Sequence, residues 1–173
     1  MQFPALIDWR PLTCPDRQLA PWLKKPGSLT SNLERQLQGR VRVEIIFEGW
    51  RLLSPDDCAY LGLSSRTFQR GWVRDVILWV NGQAVVRART LIPRKTFLGS
   101  GRRLRRQGVK PLGHTLFRQA GVGRSPIIPG KGRTQEGNVI WGRRSRFYLE
   151  HQPLVVMEFF LPAFVQQIHA ASQ

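Results

Sequence analysis

The sequence predicts an α+β domain built on an antiparallel sheet, and three observations lead there. Residues 72–93, WVRDVILWVNGQAVVRARTLIP, read as a β-hairpin closed by Asn81-Gly82, because both central positions of a type I′ turn need φ > 0. Residues 40–47, 141–149 and 154–161 have the alternation or the short apolar runs of strands, the last two joined by a short turn around His151-Gln152-Pro153. The helical patterns cluster between hairpin-joined strands and do not alternate with each strand. A chain of 173 residues can bury a sizeable core, so one domain over 1–173 is expected.

The elements follow in order. Residues up to 26 form an irregular, Pro-punctuated lead with a short helix at 18–23. Residues 28–37 place Leu29, Leu33 and Leu37 on one helical face, with Ser31 and Glu34 at capping-box spacing. In 40–47, Val41, Val43, Ile45 and Phe47 face one way, and the strand runs on through 48–53 with a bend expected at Gly49. Ser54-Pro55-Asp56-Asp57 is a turn or helix start. After the hairpin, residues 97–120 are basic and Gly-punctuated, which predicts two short helices broken near 108–111. Five glycines and two prolines in 121–137 predict a long loop or flap. Residues 164–171 make a closing helix.

Two charges point inward. On the first hairpin strand Trp72, Arg74, Val76, Leu78 and Val80 share one face, and Val73, Asp75, Ile77 and Trp79 share the other. A guanidinium cannot shed its proton, so Arg74 requires a carboxylate from the protein or from a ligand. On the last strand Leu154, Val156, Glu158 and Phe160 share one face, opposite Val155, Met157, Phe159 and Leu161. Both faces are apolar, so the strand is covered on both sides and Glu158 is a buried carboxylate. Arg74 and Glu158 either form a buried ion pair or serve one functional site.

The formal charge is +16, and residues 76–149 hold sixteen Lys and Arg against the single acid Glu136. Such a field suits nucleic acid, an anionic membrane surface or a small polyanion. The run Arg102-Arg103-Leu104-Arg105-Arg106 reads as a surface feature, because no aromatics are interleaved with the arginines for base stacking. Trp72 and Trp141 read as core aromatics, and Arg143, Arg144 and Arg146 as framework or solvated arginines, Arg143 facing away from the other two. The stretch Gly121-Val122-Gly123-Arg124-Ser125 lacks the phosphate-loop pattern and reads as a flap hinge. His114 has no orienting carboxylate near it in sequence. Cys14 and Cys58 are expected to be reduced and structural, and two Cys with three scattered His offer no metal cluster. The N-terminus lacks signal-peptide features, and the longest apolar run, 154–165, contains Glu158 and Pro162 and is too short to span a bilayer. A cytoplasmic location without a membrane span is expected.

The order and spacing of several segments resemble those of bacterial chorismate pyruvate-lyases almost end to end. The segments are PAL at 4–6, EGW at 48–50, WVRDVIL at 72–78, ARTLIP at 88–93, KPLGHTLF at 110–117, WGRRSRF at 141–147 and PLVVMEFFLP at 153–162. The resemblance implies a sheet of about six antiparallel strands, a monomer, and a ligand sealed under flaps. It implies a reaction in which chorismate loses pyruvate to give 4-hydroxybenzoate for ubiquinone synthesis, with no metal or redox cofactor. The family's ligand-contacting positions fall on Arg74, Leu112 and Glu158, and on Leu29 where relatives usually carry Met. Residues 101–107 and 121–137 match poorly.

On this reading Arg74 takes the ring carboxylate by a charge-assisted contact. Glu158 hydrogen-bonds the 4-hydroxyl and acts as, or helps to orient, a general base toward C4. Leu29 and Leu112 wall the ring, and the basic surplus steers the dianion inward. Two rival functions stand beside the lyase. One is a non-enzymatic binding module for an aromatic carboxylate, since effector domains of some bacterial repressors resemble the lyase fold; a DNA-binding domain has no room before Leu29. The other is a nucleic-acid-binding protein, favoured by charge alone.

Overall fold

Asn81 and Gly82 adopt φ of 49° and 75°, the left-handed values that a type I′ turn requires, and they fold residues 70–93 into the central hairpin of the sheet. The structure is a computed structural model that describes residues 3–9, 13–64, 69–101, 104, 108, 110, 112, 116 and 121–171. Its elements run β1 (Ala5–Asp8), α1 (Ala20–Lys24), α2 (Leu29–Leu37), β2 (Arg42–Leu52), α3 (Pro55–Leu61), β3 (Arg70–Val80) and β4 (Gln83–Pro93). Then come α4 (Arg94–Leu98), β5 (Gly123–Arg124), β6 (Ile128–Arg133), β7 (Val139–Leu149), β8 (Gln152–Phe160) and α5 (Pro162–Ala170). The sheet is antiparallel and eight-stranded, in the order β1-β6-β7-β8-β4-β3-β2, with β5 also on β7. The α+β expectation holds, with more strands than the six expected.

Three strands lie outside the five read along the sequence: β1, in the stretch expected to be irregular, and β5 and β6, in the stretch expected to be a flap. Here glycine serves close approach within a sheet and not a loop. A Cβ on Gly130 would sit 2.3 Å from Trp9 Cε3 and 2.7 Å from the Asp8 carbonyl oxygen, so β6 can lie beside β1 only without one.

Both sheet faces are covered, as the two apolar faces of β8 require. One face packs Val76, Leu78, Val80 and Phe160 against Leu29 and Leu33 of α2 and Phe164 of α5. The other packs Val73, Ile77, Met157 and Phe159 under Cys58 and Leu61 of α3. On that second face Asp75 accepts from Arg89 through both oxygens, at 2.7 Å each. Trp72 is half-buried against a third core cluster, stacked on Phe97 at 4.6 Å between ring centres. Trp141 is half-buried against the first cluster, and Cys14 and Cys58 are buried and free.

Local chemistry sets the helix ends. Ser28 caps α2 by accepting from the Ser31 amide, while Glu34 reaches out to the Val41 amide at 3.0 Å, so the Ser31/Glu34 capping box does not form. Ser54 caps α3 with Pro55 in the first turn. The β7–β8 turn is Glu150-His151, at φ 47° and 67°, one residue earlier than expected. The break expected near 108–111, His114 and the Arg102–106 run lie largely or wholly outside the described residues.

Asp16 joins the two ends of the chain. Its side chain accepts from the Gln18 and Leu19 amides at 2.9 and 3.0 Å and lies 2.8 Å from His169 of α5. Burial pushes its carboxyl up, but the Leu19 amide, the His169 ring and the Gln18 amide outweigh that and hold it below the ordinary 3.8. A lowered native value means stability that is present above 3.8 and fades as pH falls through the native value. Asp16→Asn, which keeps a capping oxygen, is expected to lower Tm by about 1–3 °C at pH 7. The gap from the unsubstituted chain should shrink in melts run below pH 3.8.

Candidate functional site

The strand period brings the inward residues of three neighbouring strands to one patch. Arg74, Thr90 and Val156 form one row across β3, β4 and β8, and Val76, Ala88 and Glu158 form the next. The small residues Ala88 and Thr90 leave a hollow between the flanking strands. Over it lie Gly27, Leu29 and Thr30 from the start of α2, together with Lys110, Leu112 and Leu116. Arg124 of β5 and Phe147 of β7 close one side. The resulting cavity is small and partly open to its surroundings. Arg74, Glu158, Leu29 and Leu112, which enter from four different parts of the chain, all line it. The cover comes from Gly27, Leu29 and Thr30 with Lys110, Leu112 and Leu116, and of the described residues in 121–137 only Arg124 lines the cavity.

Arg74 is only 5% exposed and already has a carboxylate. Its Nη1 donates to Glu48 Oε1 at 3.1 Å, and its Nη2 donates to the Gly108 carbonyl. Trp72 Nε1 donates to the same Glu48 oxygen at 3.4 Å. A β-bulge makes this pairing. Ile45 lies opposite Val76, but Phe47 lies opposite Asp75, so Ile46 is the extra residue and Glu48 faces Arg74. Without the bulge Phe47 would oppose Arg74. The shift also turns Phe47 to the second sheet face, away from Val41, Val43 and Ile45, contrary to the expected uninterrupted alternation. The irregularity falls at 45–47 and not at Gly49.

Arg74 and Glu158 are therefore not each other's ion-pair partners. Glu158 Oε2 accepts from Arg143 Nε at 2.7 Å, and Arg143 Nη1 donates to the carbonyls of Trp22 and Lys25 at 2.9 and 2.8 Å. Arg143 is fully buried, whereas Arg144 and Arg146 face the other way and lie over the Tyr60 ring at 3.7 and 5.1 Å. Arg124, expected at a flap hinge, instead enters the cavity wall. Its Nε donates to Ser145 Oγ at 3.0 Å and its Nη1 to the Gly27 carbonyl at 3.1 Å. Burial pulls its guanidinium below the ordinary value, and the nearby Glu158 carboxylate opposes that.

The cavity thus presents a buried cation at one end, a carboxylate two strands away, further cations at Lys110 and Arg124, and apolar walls. Such a site takes a small, flat, anionic molecule that also carries a hydrogen-bond donor. Among the described residues no group of three or more His, Cys, Asp or Glu could hold a metal, and no helix is long and apolar enough to cross a membrane.

This is the architecture of a small-molecule-binding α+β domain, and its likeness to known proteins is specific. A family model described as chorismate lyase matches residues 9–170. A probable chorismate pyruvate-lyase of Marinobacter nauticus is 40% identical over 147 residues, covering 84% of this chain and 77% of that protein. A probable chorismate pyruvate-lyase of Pseudomonas aeruginosa is 38% identical over 152 residues, covering 84% of each. Among solved structures, the effector domain of PhnF from Mycobacterium smegmatis matches with a TM-score of 0.60 at 12% identity, over 79% of this chain and 90% of that one. The ligand-binding domain of a putative GntR-family transcriptional regulator from Bordetella bronchiseptica matches at 0.51 and 16%, over 72% and 84%. At those identities the likeness to the regulators is one of fold alone. The chain belongs to the chorismate lyase family, and it is a lyase.

Proposed function

We propose that this chain eliminates pyruvate from chorismate to give 4-hydroxybenzoate, the first committed step of ubiquinone synthesis, as a cytoplasmic monomer. The observation that supports this reading most is one cavity with Arg74 and Glu158 on neighbouring rows of β3 and β8. Two inter-strand spacings, roughly 10 Å, separate those strands. An aromatic ring with a carboxylate at one end and a hydroxyl at the other can bridge two long side chains across such a gap.

Arg74 holds the ring carboxylate, sharing its charge with Glu48, and Glu158 accepts the 4-hydroxyl proton in a hydrogen bond. Leu29, Leu112 and Leu116 exclude water from the ring faces. In the reaction a base removes the proton on C4, and that C–H electron pair becomes the new C3–C4 π bond. The C3–oxygen bond breaks with its electrons on enolpyruvate, which takes a proton at its methylene carbon to become pyruvate. Proton transfers alone balance these steps, so the reading needs no redox group. Glu158 is the side chain this reading assigns to the C4 proton.

Incubating the metal-stripped protein with chorismate tests the reading. Pyruvate and 4-hydroxybenzoate are expected in equal amounts. If neither forms while 4-hydroxybenzoate still binds, the chain is a ligand-binding module, a reading that the fold shared with regulator effector domains favours. Absence of both turnover and binding would sink the assignment.

A further inference from the structure

Among the described residues Arg143 is the most buried charged side chain, at 1% exposure, yet it does not line the cavity. It lies directly across the β7–β8 ladder from Glu158. Its guanidinium is held at three points, by Glu158 Oε2 and by the carbonyls of Trp22 and Lys25 at the end of α1. Carbonyls at a helix C-terminus favour a cation there. A guanidinium fixed by two backbone groups cannot turn about its own axis, so the carboxylate bonded to its Nε has one permitted orientation. Among the described residues no partner bonds the other oxygen, Glu158 Oε1, which leaves it for a ligand. A buried pair that only braced two strands would be replaceable by apolar side chains at little cost. This one instead spends its charge on a carboxylate that reaches the cavity.

We propose that Arg143 is a positioning residue of the lyase reaction: it acts through Glu158, locking Oε2 so that Oε1 meets the substrate. The inference rests on the lyase reading above. It also ties the segment that leads into Leu29 to the same carboxylate, because Lys25 stands two residues before Gly27 in the cavity cover.

The test is a cycle of four proteins: unsubstituted, Arg143→Gln, Glu158→Gln and the double variant. Two readouts are taken, the single-turnover rate of chorismate conversion and the affinity for 4-hydroxybenzoate by calorimetry. Glu158→Gln is expected to slow the rate by about a hundredfold. Arg143→Gln should slow it comparably while changing 4-hydroxybenzoate affinity by less than about tenfold. The double variant should be no slower than Glu158→Gln alone, because both substitutions remove one function. Multiplied rate losses in the double variant overturn the proposal, and so does a Glu158→Gln protein that keeps its rate. If Arg143→Gln alone does not fold, the comparison of the double variant with Glu158→Gln decides, since the double variant leaves neither charge of the pair buried without its partner. If the double variant does not fold either, Arg143 is a structural strut and the proposal fails. An unsubstituted chain that leaves chorismate intact refutes the lyase reading and this role with it, whereas multiplied losses in an active chain refute only this role.

Discussion

Arg74→Ala is expected to weaken 4-hydroxybenzoate binding by at least about a hundredfold, equivalent to roughly 3 kcal/mol. Two effects add in the same direction. The variant loses the cation set against the ligand carboxylate, and it strips Glu48 of the partner that it contacts at 3.1 Å. Glu48 is only 25% exposed, so its orphaned charge would stand beside an anionic ligand in a poorly solvated place. Adding Glu48→Gln to Arg74→Ala should therefore recover part of the loss, which simple deletion of a contact would not. Calorimetry with 4-hydroxybenzoate on the single and double variants reads both effects. If Arg74→Ala binds as the unsubstituted chain does, the ligand carboxylate sits elsewhere, and Lys110 and Arg124 on the same cavity become the candidates.

The inward charges were legible because a strand's faces follow from period two alone. Arg74 stood among Trp72, Val76 and Leu78, and Glu158 among Val156 and Phe160, so each had to point where water was excluded. Their partners were not legible, because partners depend on register. The Glu48–Arg74 pair exists only because one extra residue, Ile46, interrupts β2, and no composition signal marks that bulge. The Arg143–Glu158 pair depends on where the β7–β8 turn falls. With Glu150-His151 as the turn, Leu149 meets Gln152 and Arg143 meets Glu158; a turn centred on 151–153 puts them out of step. Leu29 and Leu112 were reachable only through the family resemblance, since an apolar wall looks like any other core position. Arg124 was hidden for a different reason. Its glycine- and proline-rich surroundings carry the composition of a loop, while here the missing side chains let β1 approach β6 and leave Arg124 on a strand beside β7.

The same close approach makes Gly142, in the WGRRSR segment, the position whose substitution is expected to cost most in stability. It is a strand residue of β7, so its backbone suits any side chain and conformation is not the reason for glycine. Space is. A Cβ there would lie 2.5 Å from Phe159 Cδ1, 2.8 Å from Phe159 Cε1 and 2.6 Å from the Glu158 carbonyl oxygen. Phe159 is fully buried, wedged by Phe3 at 5.4 Å and Trp9 at 5.6 Å between ring centres, so the ring has no open side to move into. The carbonyl oxygen belongs to β8 and can retreat only if the strand does. Overpacking of this kind costs about 3 kcal/mol, so Gly142→Ala should lower Tm by about 10 °C in a chain of this size. Relief by moving β8 would displace Glu158 from its 2.7 Å contact with Arg143. Gly142→Ala should then lose turnover even at temperatures where it stays folded. A combined Gly142→Ala/Phe159→Leu variant separates the two contacts. It frees the ring but not the carbonyl, so if the ring clash dominates, both Tm and turnover should return toward the unsubstituted values. If neither returns, the backbone of Glu158 is what Gly142 accommodates.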